Sequence, residues 1–310
     1  MHWSTLREAC RSTSPWRPHE PCTDVLPGRC FAAPVGWRHF PDGESLVTLD
    51  DSLEGADVAI LVSLRDPDPL ALPLRFAAQS AREFGARSVG LIAPYLAYMR
   101  QDKRFHRGEA ISAPLFARFL EESFDWLVTV DPHLHRFHRL QSLYSIPATH
   151  VSATPAVASW IANAIPDAML IGPDSESEQW VARIAAQAGM PWQVLSKHRH
   201  GDYEVRVSLP DAAAATGRTP VLVDDIVSSG RTILETLAHL QRLALPPPVL
   251  VAIHPVFAGD AYAQLQAAGL ARIVSTDTIA HPSNAIPLGA ALAAAASTLM
   301  SSSTDSREDS

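Results

Sequence analysis

The chain has 310 residues, 47% of them hydrophobic, and a formal net charge of −8 at pH 7. This length is typical of two domains of ordinary size, each with enough apolar residues to form a core. The negative charge argues against a general nucleic-acid-binding protein, and no apolar run reaches the roughly 18 residues that a membrane helix needs. We therefore expect a cytoplasmic protein that binds neither nucleic acid nor a membrane.

Residues 1–28 show no periodic apolar pattern and are rich in Pro and Trp. They lack the apolar core that follows the basic segment of a signal peptide. The three cysteines, Cys10, Cys22 and Cys30, lie in the first tenth of the chain, and their odd number does not suggest a disulfide framework. We interpret residues 1–28 as an N-terminal extension.

Strands and helices are predicted to alternate after a first hairpin, whose turn contains Pro41-Asp42-Gly43. The predicted strands are 46–49, 57–63, 88–94, 126–131, 168–172, 194–196, 204–208, 221–223, 248–254 and 272–275, and the predicted helices are 74–84, 111–121, 155–164, 176–188, 233–243, 261–268 and 288–299. This alternation predicts right-handed βαβ units and mostly parallel sheets. We expect an α/β protein with two similar halves, residues 29–150 and 151–300, followed by a polar tail at 301–310 that is disordered.

The most informative stretch is Val221–Thr232, in which three apolar residues run into Asp224 and Asp225 and a small hydroxyl and glycine loop precedes a helix. The loop suits a phosphate, because a helix N-terminus presents free N–H groups and Gly230 allows close approach. The two carboxylates would repel phosphate, so we assign them to sugar hydroxyls, held directly or through a divalent cation. Together these groups indicate a sugar phosphate as the ligand.

This stretch resembles the ribose-5-phosphate loop of the phosphoribosyltransferase-type fold. That fold serves the transferases that consume phosphoribosyl pyrophosphate (PRPP) and the synthetases that make it. Two positions depart from the usual loop, because Arg231 stands where glycine is more usual and Ser229 where threonine is common. Arg231 either helps to bind the 5-phosphate or crowds it. The resemblance implies that ribose 5-phosphate is bound by Asp224, Asp225, Ser228, Ser229, Gly230, Arg231 and Thr232.

A loop with four basic residues between positions 100 and 107 follows the second βα strand. Cations beside aromatic rings suit a nucleotide, although a solvated surface loop has the same composition. Its Pro-Tyr-x-x-Tyr-x-Arg-Gln-Asp-Lys motif, followed by Gly-Glu-x-Ile-Ser, resembles the ATP-binding motif of the ribose-phosphate pyrophosphokinases, the PRPP synthetase family. The resemblance implies that Arg100 and Gln101 bind ATP and that Phe105 faces the adenine.

Two motifs at strand ends match magnesium-binding positions of this family. Val130-Asp131-Pro132-His133 resembles its Val-Asp-x-His motif, which implies that His133 helps to hold the magnesium of Mg-ATP. Asp174 corresponds to the Pro-Asp of the synthetases and is implied as a second metal ligand, so Mg2+ is the expected cofactor. Ser175–Glu178 replaces the family's glycine-bearing loop and places two carboxylates beside the expected pyrophosphate contacts.

Two further segments match the same family. Residues 197–202 resemble its mobile catalytic loop, in which Lys197 and Arg199 could close over ATP and stabilise charge on the transferred phosphates. The turn at 40–44 matches a turn that reaches the ATP of a neighbouring subunit in the family, so we expect a homo-oligomer of at least two subunits. The positions assigned to ATP in this turn are Phe40, Asp42 and Glu44.

The resemblance covers about residues 31–300. It implies two tandem phosphoribosyltransferase-type domains, the first binding ATP and the second binding ribose 5-phosphate. It also implies transfer of pyrophosphate from Mg-ATP to ribose 5-phosphate, giving PRPP and AMP for nucleotide biosynthesis. A non-catalytic regulatory homologue is the alternative that the altered 175–178 loop favours, whereas the presence of Lys197, Arg199, His133 and Asp174 argues against it. A phosphoribosyltransferase is a further alternative, disfavoured by the duplicated half and the Arg100-Gln101 motif.

Overall fold

The structure is a computed structural model that describes residues 35–49, 53–134, 136–137, 139–195, 197–200, 204–207, 215–243 and 245–308. Only the backbone is described for 197–200, 204–207 and 302–308. The predicted extension at 1–28 and all three cysteines therefore lie outside the described residues. The chain forms two compact units, of which unit 1 comprises the described residues up to Val151 and those from Gly289 onwards, and unit 2 comprises Ser152–Leu288.

Strands and helices alternate along the chain, as the apolar periodicity predicts. The strands are β1 (Gly36–His39), β2 (Ser45–Thr48), β3 (Asp57–Leu61), β4 (Ser88–Ala93), β5 (Trp126–Val130), β6 (Ala148–Val151), β7 (Ala168–Gly172), β8 (Trp192–Val194), β9 (Lys197–His200), β10 (Glu204–Val207), β11 (Thr219–Ile226), β12 (Val249–His254), β13 (Arg272–Thr276) and β14 (Asn284–Ile286). The helices are α1 (Pro67–Glu83), α2 (Ser112–Glu121), α3 (Thr154–Ala164), α4 (Glu178–Ala188), α5 (Arg231–Leu240), α6 (Ala261–Ala267) and α7 (Gly289–Glu308). None of the helices in the described part of the chain is long and apolar enough to cross a membrane.

Unit 1 is built on a parallel sheet whose described strands lie in the order β3-β4-β5-β6. Its core joins Leu91 and Leu127 on one face of the sheet to Leu74 of α1 and Leu120 of α2. β5 is buried along its whole length, as expected when both faces of a parallel sheet are covered. Since α7 contacts β4, β5 and β6, we infer that α7 covers the other face.

The last helix differs from its prediction in both length and place. It runs to Glu308, so most of the tail predicted to be disordered at 301–310 is its continuation. At the start of this continuation, the Ser301 hydroxyl donates to the Ser297 carbonyl oxygen, 3.1 Å away and one turn back. The helix also belongs to unit 1 and not to the second half, where the boundary at 300 had placed it. Local periodicity cannot show which sheet a helix will cover.

Unit 2 is built on a larger parallel sheet, whose described strands lie in the order β14-β13-β12-β11-β7-β8. The two parallel sheets confirm the α/β prediction. β11 lies between β7 and β12. Asp224 and Asp225 are therefore at the carboxyl end of a central strand, the edge of an open parallel sheet where ligands bind.

Several element boundaries differ from the predicted ones. α1 begins at Pro67, seven residues before its predicted start, because proline is tolerated in a first turn where its missing N–H would have no partner. β6 and β14, with four and three residues, were not predicted, since strands this short carry little periodic signal. Lys197–His200, predicted as a loop between strands, is itself strand β9 and pairs antiparallel with β10.

The contact between Gly90 and Trp126 generates a stability prediction. The Trp126 side chain is 1% exposed, and a Cβ added at Gly90 would lie 1.9 Å from its Cε2 atom. We expect Gly90→Ala to lower the free energy of unfolding by about 1–3 kcal/mol in denaturant titrations, because the ring cannot move without repacking the core. Gly36→Ala is the control, since its Cβ would meet Thr48 at an ordinary 3.4 Å. Wild-type stability for Gly90→Ala would show that the ring does not lie against Gly90.

Candidate active site

Three carboxylates lie at the carboxyl edge of the unit 2 sheet. Asp174 follows β7, and Asp224 and Asp225 are among the last three residues of the neighbouring β11. Asp225 is 6% exposed, and its Oδ1 atom accepts the Ile226 N–H at 2.8 Å. Burial, followed by the charges of Asp225 and Asp174, raises the pKa of Asp224 well above its ordinary value. This concentration of negative charge favours a cation or hydroxyl donors at the same place.

Asp174 also shapes the turn that follows it. Its Oδ1 atom accepts the N–H groups of Glu176 at 3.0 Å and Ser177 at 3.1 Å, and the Ser177 hydroxyl donates to the Asp174 carbonyl oxygen at 2.6 Å. Glu176 and Glu178 are exposed, and Glu178 begins α4, where a negative charge is favourable. The departure from the family's loop therefore leaves a well-formed turn with its carboxylates in solvent.

The loop at 227–230 joins β11 to α5. Its last position, 230, has a backbone conformation that only glycine suits. Gly230 has φ +70°, and an added Cβ would lie 3.1 Å from Leu265 Cδ1. The Gly230 carbonyl oxygen accepts the Leu234 N–H at 2.9 Å, and no side chain in the described part of unit 2 caps this end of α5. The first N–H groups of the helix can therefore bind an anion, as the sequence predicts.

The hydroxyl and basic residues of this loop differ in exposure. Ser228 and Thr232 are half-buried, whereas Ser229 and Arg231 are exposed. Arg231 is the first residue of α5, and since it is exposed it does not fill the loop. All seven residues that the sequence assigns to the sugar phosphate lie on this edge of unit 2, in the last residues of β11, the loop that follows it and the first residues of α5.

In unit 1, Tyr98 anchors the turn that carries Arg100 and Gln101. Tyr98 has φ +64°, its carbonyl oxygen accepts the Gln101 N–H at 3.0 Å, and its ring lies 4.7 Å from that of Phe116. Its hydroxyl donates to the Asp68 carboxylate, which, with burial, raises the pKa of Tyr98 to about 12. A ring and a hydrogen bond thus hold an unfavourable backbone conformation in place. Arg100 is exposed and Gln101 is half-buried.

Glu109 organises the loop that carries Phe105. Its Oε2 atom accepts the N–H groups of Phe105 at 3.0 Å and His106 at 2.9 Å, and its carbonyl oxygen accepts Arg104 Nε at 2.9 Å. Phe105 is 52% exposed, with Lys103 Nζ 4.9 Å from its ring centroid. An exposed ring held in this way suits a nucleotide base. Sequence reasoning missed Glu109 as a site residue, although an acidic residue four positions after Phe105 could have suggested it.

The remaining predicted residues of unit 1 lie in the first hairpin and after β5. The Phe40 N–H donates to the Glu44 carbonyl oxygen at 2.7 Å, and the Glu44 N–H donates to Asp42 Oδ1 at 3.2 Å, which closes the 40–44 turn. Phe40 is 39% exposed, and Arg38 Cζ lies 4.6 Å from its ring centroid. His133 is half-buried, shortly after the buried Asp131.

The side chains of Lys197 and Arg199 lie outside the described residues, so only their place in β9 is known.

The carboxylate edge of unit 2 can be tested for its fit to Mg2+. Within the described residues, no three His, Cys, Asp or Glu side chains converge to form a metal site, although Asp174 and Asp225 act on Asp224 through their charge. The two findings agree, because charges act over longer distances than ligand bonds. Mg2+ usually keeps several waters and binds one or two carboxylates plus phosphates. The edge therefore fits a Mg2+ ion that arrives with a phosphorylated ligand.

The raised pKa of Asp224 generates a prediction about stability. The folded chain holds this proton more tightly than the unfolded chain, so stability falls as pH rises from about 4 through the folded pKa. Asp224→Asn removes this loss. We expect the variant to exceed the wild type in melting temperature at neutral pH without Mg2+ or ligand, by a margin that grows with pH and then levels off.

The control for this prediction is Asp167→Asn, which removes an exposed carboxylate of the same unit and is expected to gain no such stability. A gain for Asp224→Asn that does not change with pH would contradict the assignment.

Two family models match large parts of the chain. Residues 29–123 match the family model of the N-terminal domain of ribose phosphate pyrophosphokinase, and residues 149–246 match that of the phosphoribosyl transferase domain. A crystal structure of phosphoribosylpyrophosphate synthetase from Mycobacterium smegmatis superposes with a TM-score of 0.75 at 24% identity, covering 89% of this chain and 92% of that one. This likeness shows a shared fold.

Curated relatives cover most of the chain. The ribose-phosphate pyrophosphokinase of Methanopyrus kandleri is 34% identical over 253 residues, which are 81% of this chain and 85% of that protein. The protein of the same name from Halobacterium salinarum is 32% identical over 247 residues, 79% of this chain and 85% of its own length. With similarity of this extent, the chain belongs to the ribose-phosphate pyrophosphokinase family.

Proposed function

We propose that this protein is a ribose-phosphate diphosphokinase, which transfers pyrophosphate from Mg-ATP to the anomeric hydroxyl of ribose 5-phosphate and releases PRPP and AMP. The observation that carries this proposal is the edge of unit 2, where an uncapped helix N-terminus follows two adjacent carboxylates at the end of one strand. Family membership and the curated relatives of that name support it. The product feeds nucleotide biosynthesis, and the cytoplasmic location expected from the sequence stays a prediction.

Ribose 5-phosphate is assigned to unit 2. The hydroxyls of Ser228, Ser229 and Thr232 and the first N–H groups of α5 bind the 5-phosphate, with the exposed Arg231 as an added cation. Asp224 and Asp225 accept hydrogen bonds from the ribose hydroxyls. Because this ligand brings hydroxyl donors to the carboxylates, binding relieves part of the electrostatic cost of the free site.

ATP is assigned to unit 1. Arg100 and Gln101 supply a cation and an amide for its polar groups. The exposed ring of Phe105, whose N–H donates to the Glu109 carboxylate, faces the adenine. Phe40, Asp42 and Glu44 serve the ATP of a neighbouring subunit in a homo-oligomer. His133 in unit 1 and Asp174 in unit 2 are each proposed as a Mg2+ ligand, and Mg2+ would neutralise phosphate charge when it is bound.

The reaction needs positioning more than covalent chemistry. The anomeric hydroxyl of the ribose attacks the β-phosphorus of ATP in line, and AMP leaves. Lys197 and Arg199 stabilise the negative charge that develops on the transferred group. Holding both substrates in line converts a reaction between two molecules into one within a complex, which lowers the entropic part of the barrier.

The activity is tested by incubating the purified protein with Mg-ATP and ribose 5-phosphate and measuring AMP and PRPP. We expect Lys197→Ala and Arg199→Ala each to lower turnover by roughly 10²–10⁴, the scale of losing one transition-state donor. Near-normal turnover with only a raised KM for ATP would contradict their catalytic role. If the wild type formed no more product than Lys197→Ala, the protein would be a regulatory homologue. The 175–178 loop is the feature of the sequence that favours this alternative.

The shared ATP site predicts complementation between variants. Phe40→Ala should raise the KM for ATP and leave that for ribose 5-phosphate unchanged, because the turn serves only ATP. Mixing it with inactive Lys197→Ala chains should restore part of the activity, since a mixed dimer can form one site with both residues intact. Specific activity should also fall on dilution, as subunits separate. A fully active monomer in light scattering would exclude the shared site.

A further inference from the structure

The phosphate-binding loop is held from one side by the segment that follows β12. The His254 carbonyl oxygen accepts the Val227 N–H at 3.2 Å. In return, the Val227 carbonyl oxygen accepts the Phe257 N–H at 2.8 Å, and the Ser228 carbonyl oxygen accepts the Ala258 N–H at 3.0 Å. These bonds continue the pairing of β11 and β12 beyond the ends of the two strands. The peptide planes of the loop therefore take their orientation from this neighbouring segment.

Phe257 holds an unfavourable backbone conformation at the centre of that segment. Its φ is +37°, a region that bulky residues rarely occupy and that costs roughly 1–3 kcal/mol. Its side chain is 4% exposed and belongs to the same core as Leu265, the residue that lies against Gly230. Strain of this kind persists only where the surrounding packing determines it.

An aromatic cluster supplies that packing. The Phe257 ring lies 4.7 Å from the His281 ring and 5.2 Å from the Tyr262 ring, and those two rings are 4.5 Å apart. His281 is fixed in turn, because its Nδ1 atom is 2.8 Å from the Ser283 hydroxyl and its N–H donates to Asn284 Oδ1 at 2.9 Å. The ring of Phe257 is thus held on two sides by elements that follow β12 and β13.

We infer that Phe257 is a positioning residue for the bound 5-phosphate, which acts through the backbone of Val227 and Ser228 and does not touch the ligand. This inference rests on the proposed function, because it takes the ligand of that loop to be ribose 5-phosphate. The ring cluster fixes the Phe257 backbone, that backbone fixes the two loop carbonyls, and the loop then presents its N–H and hydroxyl groups in one arrangement. Preorganised groups bind an anion without first losing conformational freedom.

The test compares three substitutions. Phe257→Ala removes the ring and leaves a residue that disfavours positive φ, Phe257→Gly removes the ring but permits positive φ, and Tyr262→Ala removes one neighbouring ring and leaves Phe257 intact. We expect the KM for ribose 5-phosphate to rise about tenfold or more for Phe257→Ala, with smaller rises for the other two. The KM for ATP and the turnover at saturating ribose 5-phosphate should stay within about threefold of the wild type.

A matched control separates positioning from general destabilisation. Leu240 is 2% exposed and belongs to the same core as Phe257, but it lies at the far end of α5 from the loop. Leu240→Ala should lower the melting temperature without changing the KM for ribose 5-phosphate. If Phe257→Ala does not fold, Tyr262→Ala decides, since Tyr262 is half-buried and its ring is a smaller part of the core.

Calorimetric titration with ribose 5-phosphate and with inorganic phosphate gives a readout that does not need turnover. Weaker binding of both probes by the Phe257 variants, with wild-type binding by Leu240→Ala, would support the inference. An active wild type whose folded Phe257 and Tyr262 variants bind both probes normally would overturn it. A wild type that binds ribose 5-phosphate but forms no PRPP would overturn the proposed activity and leave the positioning role standing.

Discussion

The carboxyl end of β11 places two opposed electrostatic requirements within nine residues. Asp224 and Asp225 concentrate negative charge beside Asp174, whereas the start of α5 must attract an anion. Without a ligand, the charges of these carboxylates lower the stability of the folded chain at neutral pH, in keeping with the raised pKa of Asp224. A ligand that has hydroxyls at one end and phosphate at the other satisfies both requirements at once. In the proposed function, the stability that is lost when no ligand is bound would be the counterpart of selectivity for a phosphorylated sugar over either inorganic phosphate or a free sugar.

Backbone strain in the described residues collects where the ligands are expected. The non-glycine residues with positive φ in that part of the chain are Tyr98, Asp131 and Phe257. Each follows the carboxyl end of a parallel strand, β4, β5 or β12 respectively. Tyr98 is held by Asp68 and Phe116, and Phe257 by Tyr262 and His281. Rigid side-chain packing behind the site thus maintains conformations that the loops would not adopt by themselves.

Sequence reasoning recovered the features that depend on local pattern. The alternation of strands and helices and the α/β class follow from apolar periodicity. The place of Asp224 near the carboxyl end of β11 follows from charges after an apolar run, although the strand continues through Asp225 to Ile226. Features that depend on tertiary contacts were not recovered. Glu109 acts by accepting backbone N–H groups, for which the only sequence signal is its spacing from Phe105. Phe257 is proposed to act through its backbone angle, which leaves no pattern in the sequence. The short β6 and β14 form because longer neighbouring strands pair with them. The roles of Lys197 and Arg199 stay predictions.

The return of α7 to the first sheet has a consequence for how the chain reaches its native state. Unit 2, Ser152–Leu288, is inserted between β6 and the helix that we infer covers one face of the unit 1 sheet. During synthesis that face, which includes Trp126 and Val128, stays uncovered until the whole of unit 2 has been made. Domains that are contiguous in sequence can fold in turn as they emerge from the ribosome. Here the first domain to begin folding is the last to be completed.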